Sequence, residues 1–182
     1  LHAILKKTPI PTDFELLSID VDGTDYAIWN GLKEYFPKVV VIEFNPTIPN
    51  EVEFVQEDSA SVNHGNSLAS LVKLGKHKGY ELAATTVNNA FFVRKDLFPL
   101  LNIQDNSLHQ LRSADTRITY FFSGHDGTVF LAGHQKLDLQ KIPLWARRFQ
   151  ILPKFLRGYD HQPGIKKFLY RIYKSLYKRN IV

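Results

Sequence analysis

The stretch Leu16-Leu17-Ser18-Ile19-Asp20-Val21-Asp22-Gly23-Thr24-Asp25-Tyr26 constrains this chain more than any other. An apolar run of strand length passes into Asp20 and Asp22, turns at Gly23, and leads into a helical pattern. Asp25 is placed to N-cap a helix carrying Tyr26, Ile28, Trp29, Leu32, Tyr35 and Phe36 on one broad apolar face, with Pro37 as its end. Lys38 to Phe44 is then a near-continuous β-branched run, as expected of a parallel strand buried on both faces, and Asn45-Pro46 stops it. Strand, acidic turn, helix, strand and acidic end make one βαβ unit. Its polar residues Asp20, Asp22, Glu43 and Asn45 fall at the carboxyl edge, where open α/β sheets bind ligands.

Two chemistries compete for the acidic turn. Taken alone, Asp20-Val21-Asp22-Gly23-Thr24 matches the nucleophile motif of haloacid-dehalogenase phosphatases. In that reading Asp20 attacks phosphorus, Asp22 is the general acid/base, and both face a Mg²⁺. The same chemistry needs a later Lys and a second acidic pair at a strand end. Downstream the only adjacent acids are Glu57-Asp58, in a polar stretch, and Asp25 stands where that motif wants an apolar residue. The Asp-x-Asp of metal-dependent glycosyltransferases is a weaker match. The plainest reading is an acidic turn between strand and helix.

The longer pattern points elsewhere. Leu17 to Tyr26, a helix ending near Leu32, and Pro37-Lys38-Val39-Val40-Val41-Ile42-Glu43 together resemble the FkbM-type S-adenosylmethionine-dependent methyltransferases. The likeness is closest to an uncharacterised branch with Ile-Asp-x-Asp-Gly-x-Asp-Tyr and Val-Ile-Glu-x-Asn-Pro, and it extends through Asn88-Asn89-Ala90-Phe91-Phe92-Val93. It implies an α/β fold, the C-terminal half of a Rossmann-like class I methyltransferase sheet closed by an antiparallel hairpin. It also implies methyl transfer to an oxygen of a small-molecule, glycan or lipid-linked acceptor. Asp20 and Asp22 would then be catalytic, with Tyr26, Glu43 and Asn45 binding the acceptor. Some methyltransferases hold Mg²⁺ with an acid after the fourth strand and an acid plus Asn after the fifth. Asp20, Asp22, Glu43 and Asn45 imitate that set, all with hard oxygen donors.

The rest of the first hundred residues fits such a sheet. Residues 45–66 form a long polar connection, a candidate substrate lid. Ser67 can cap a helix through Leu68, Leu71, Val72 and Leu74, with Gly79 as its breaker. Tyr80 to Thr85 and Ala90 to Val93 form a hairpin across Val87-Asn88-Asn89. No Gly-x-Gly occurs that could cradle a cofactor, there is no Met, and the chain opens in mid-pattern at Leu1. The expectation is the C-terminal half of a larger enzyme, inactive alone, whose cofactor-binding residues lie upstream of Leu1.

Composition adds limits. With no Cys, disulfides, thiolate catalysis and Cys-based zinc sites are excluded, and a cytoplasmic location fits. The seven His form no cluster, and no apolar run is long enough for a membrane span. The net charge of +5 is unevenly placed: Lys141 to Val182 hold eleven Lys and Arg against one acid, Asp160. After Pro163-Gly164, the positions Ile165, Phe168, Leu169, Ile172, Tyr173 and Leu176 recur at helical spacing among Lys and Arg. This basic amphipathic helix is either a peripheral contact to anionic membranes, even a non-catalytic binding module, or a cover for its own domain. Docking against strands near Phe121 and Phe130 is the favoured expectation. No nucleic-acid motif accompanies the charge. The organisation read from the sequence is a methyltransferase-like part over 1–100, an extension over 101–140 with strands at Ile118–Phe122 and Gly127–Ala132, and the basic tail over 141–182.

Overall fold

The computed structural model describes residues 1–59, 61–112, 117–158 and 164–179. Pro163, read as the break before the last helix, lies outside them, as does Asp160. The chain forms two compact units, Leu1–Ile118 and Thr119–Val182.

The first unit is a mixed α/β layer. A short helix α1 (His2–Leu5) leads to strand β1 (Leu16–Ile19), helix α2 (Asp25–Gly31) and strand β2 (Val39–Glu43). Helix α3 (Leu68–His77), the strands β3 (Tyr80–Thr85) and β4 (Asn89–Arg94), a 3₁₀ turn at Phe98–Leu101 and a one-turn helix α4 (Leu108–Leu111) follow. The four strands lie in the order β1-β2-β4-β3. β1 runs parallel to β2 with Leu17 opposite Val40, and β4 is antiparallel to both β2 and β3. The parallel pair and the closing hairpin therefore match the sequence reading.

One face of this sheet is sealed. Leu17 and Ile19, Val40 and Ile42, and Ala90 and Phe92 are cross-strand neighbours and all buried. Trp29 of α2 packs on Phe92 at 4.9 Å between ring centroids and edge-on to Tyr80 at 5.7 Å. α3 reaches the same face so closely that a Cβ on Gly75 would stand 2.9 Å from Phe92 Cδ1 and 3.1 Å from Trp29 Cη2. On the other face Val39 and Val41 stay half-buried and Leu16 is exposed. β2 is thus sealed on one side only, because α2 and α3 share that side.

α3 begins and ends where its sequence predicts. Ser67 Oγ accepts the N–H of Ser70, and Gly79 takes φ +84° beyond the last turn. α2 does not reach Pro37. It stops at Gly31, where a residue without a side chain holds the helix poorly, and Leu32 turns extended with ψ 103°. That exit keeps Leu32 and Tyr35 in the core and leaves Phe36 exposed. Lys78 Nζ donates to the freed Leu32 carbonyl at 2.7 Å, serving a helix end with a cation. Thr24, not Asp25, is the N-cap position. The first unit also takes in residues beyond 100: Thr85 Oγ1 donates to the Leu111 carbonyl at 2.7 Å, and Arg112 donates to Pro46 O, Ile48 O and Asn50 Oδ1.

The second unit contains an antiparallel hairpin of β5 (Thr119–Ser123) and β6 (Val129–Gly133), close to the strands expected at Ile118–Phe122 and Gly127–Ala132. Gln150 ties its turn down, accepting the N–H of Val129 and donating to the carbonyls of Gly127 and Leu152. A 15-residue helix α5 (Ile165–Arg179) follows. Its apolar residues are not covered as the docking expectation required: Phe168 is 64% exposed, Ile172 is 42% exposed and Leu176 is 56% exposed. No helix among the described residues is long and apolar enough to cross a membrane.

Candidate functional site

β1 and β2 end side by side, so the residues just past them share one edge of the sheet. Because β4 is antiparallel, its first residue Asn89 sits opposite Glu43 and brings the hairpin turn to the same edge. There Asp20, Asp22 and Glu43 each offer a carboxylate oxygen, and all three lie within 4.8 Å of one another. Asp20 and Asp22 are exposed and Glu43 is half-buried. Among the described residues no other group of three His, Asp or Glu side chains comes this close.

The turn that carries the first two acids is held from beneath. Asp25 is buried, and its carboxylate accepts the N–H of Val21 at 3.1 Å and of Gly23 at 2.9 Å. It acts as a staple for the turn rather than the helix cap expected of it. Asp22 takes the left-handed φ of 57°, and Gly23 has φ +145°. A Cβ on Gly23 would meet Gln56 Oε1 at 2.6 Å, so only glycine fits. Sterically restricted backbone of this kind persists where the surroundings over-determine it.

Residues 45–66 supply those surroundings. Asn66, buried, donates from Nδ2 to the Gly23 carbonyl at 2.8 Å and accepts the Gln56 N–H at Oδ1. Gln56, also buried, accepts the N–H groups of His64 and Gly65 at Oε1 and donates to the Val62 carbonyl. The connection read as a lid is therefore bonded to the acidic turn. Asn66, Gln56 and Asp25 escape sequence reasoning because a polar residue in a polar stretch carries no sign of burial.

Electrostatics at the edge are one-sided. Burial holds the Glu43 carboxyl above the usual carboxylate range, opposed by a hydrogen bond from Asn88 Nδ2 at 3.3 Å and reinforced by Asp20, Asp25 and Asp22. The charges that act on it are all negative, which is the electrostatic demand a cation or a hydroxyl donor would meet. The sequence marks Asn88 only as a turn residue; its position opposite the end of β2 makes it part of the site.

The Asn45 amide is engaged within the connection: its Oδ1 accepts the N–H and hydroxyl of Thr47, and its Nδ2 donates to the His64 carbonyl. Both ends of the amide are used in fixing the connection. Tyr26 is half-buried and packs against the core.

No protein-family model, curated protein or solved structure matches the chain.

Proposed function

We propose that the carboxylate edge is the acceptor side of an S-adenosylmethionine-dependent O-methyltransferase site. In this reading the sheet is the closing half of a Rossmann-like class I methyltransferase sheet. The observation that carries it is the convergence of Asp20, Asp22 and Glu43 at the carboxyl ends of two parallel strands, beside an antiparallel hairpin. When bound, S-adenosylmethionine would supply an electrophilic methyl group, its sulfur leaving as the thioether of S-adenosylhomocysteine. Glu43 accepts the acceptor hydroxyl's proton, since a carboxyl held above its ordinary range is the better-matched base near neutrality. Asp20 and Asp22 orient the hydroxyl for in-line attack, and the staple formed by Asp25 keeps them in place. In a metal-dependent form of this reading, Asp20, Asp22 and Glu43 would instead hold a Mg²⁺, which would lower the hydroxyl's pKa in place of a Glu43 base.

The test is transfer of labelled methyl groups from S-adenosylmethionine by the full-length protein to hydroxyl-bearing small molecules, glycans and lipid-linked sugars. Glu43→Gln should reduce transfer at least about a hundredfold, the scale of a lost general base, and Asp20→Asn about as much through lost orientation of the hydroxyl. Transfer unchanged by both substitutions would remove the assignment. Mg²⁺-dependent phosphate release from a phosphomonoester, lost in Asp20→Asn, would instead support the phosphatase reading.

A further inference from the structure

We infer that α5 is an interfacial helix that lies on anionic lipid bilayers. At about 100° per residue, Ile165, Phe168, Leu169, Ile172 and Leu176 form one continuous stripe, and every one of them is exposed. Lys167, Arg171, Lys174 and Lys178 fall on the opposite face, Lys166 adds a further cation, and the helix has no acid. Tyr170, Tyr173 and Tyr177 occupy the border between stripe and cations. That is where an aromatic body with a polar tip sits at a lipid headgroup boundary.

The remaining contacts fit this orientation. Tyr173 is half-buried, and its hydroxyl donates to the Ile151 carbonyl at 2.6 Å. Tyr177 stacks on Tyr173 with ring centroids 6.2 Å apart. The helix is thus held along its tyrosine border while the apolar stripe stays open. An exposed stripe of apolar residues is costly in water, and a cationic helix lacking acids is complementary to anionic headgroups. Nucleic acid would answer the charge alone and leave the stripe wetted; a bilayer answers both.

Lipid binding by α5 does not depend on any role of the carboxylate edge. It is tested by co-sedimenting the full 182-residue chain with vesicles of phosphatidylcholine alone or with one-third phosphatidylserine, at low and high salt. Recovery should require the anionic lipid and fall as salt rises. Lys174→Glu with Lys178→Glu should weaken binding at least about tenfold. Phe168→Ser with Ile172→Ser should abolish it at both salt levels while leaving the circular dichroism of the α/β unit unchanged. Equal recovery on neutral and anionic vesicles, or binding to RNA without binding to vesicles, would overturn the inference.

Discussion

Asp25 and Gly23 are joined by a buried hydrogen bond, in which the Gly23 N–H donates to Asp25 Oδ2 at 2.9 Å. Two residues apart, they close the turn that presents Asp20 and Asp22. Replacing Asp25 with Ala removes the acceptor of the buried Gly23 N–H and of the part-buried Val21 N–H. The expected loss is about 2–3 kcal/mol, the cost of leaving such groups unsatisfied. Denaturant titration measures it, and any activity of the edge should fall together with stability.

Glu43→Gln should move stability and function in opposite directions. The folded pKa of Glu43 is raised by burial, so its favourable contribution is present below the ordinary 4.5 and is lost as pH climbs through the raised value. At neutral pH the ionised form opposes folding. The amide should raise stability by on the order of 0.5–1 kcal/mol while activity disappears. Unfolding midpoints at neutral and acidic pH give the comparison, with the gain shrinking in acid.

Gly75→Ala tests how tightly α3 seats on the sheet. Alanine favours a helix by about 1 kcal/mol over glycine. Its Cβ, however, would meet the Phe92 and Trp29 rings at 2.9 and 3.1 Å. Overpacking costs about 1–3 kcal/mol, so the net change should be destabilising. A higher thermal midpoint for the variant would show that the rings yield.

Tyr80 links β3 to the end of the α2–β2 connection, its hydroxyl donating to the Pro37 carbonyl at 2.7 Å. Burial pushes its pKa from the ordinary 10.0 to about 12. The raised value means that its contribution is complete below pH 10 and is lost as pH rises through about 12. Tyr80→Phe should cost about 1 kcal/mol at neutral pH and flatten the alkaline decline of stability.

Much of the first unit was legible because its signals are local. The β-branched run of Val39 to Ile42 gives a strand, Ser67 and Gly79 bracket α3, and Asn88-Asn89 marks the hairpin. The three carboxylates were legible as well, because two parallel strands bring their ends together whatever lies between. What was not legible is which of several nearby groups a polar side chain takes as its partner. Asn45 is engaged by Thr47 and His64, and Asp25 faces back into the turn. α2 ends early because Leu32 and Tyr35 must reach the core. For α5 the spacing revealed an apolar stripe, but periodicity is blind to whether anything covers it.

The connection from Asn45 to Asn66 closes on itself, since the Asn45 N–H donates to the Asn66 carbonyl at 2.9 Å. Within it, the Gln56 amide bridges to Val62, His64 and Gly65. Anything inserted beside Glu57 and Asp58 is therefore outside two successive clasps. Doubling the length of such a loop costs only about 0.6 kcal/mol. A longer segment at this point should therefore leave the acidic turn intact, so its length and the geometry of the edge are set independently.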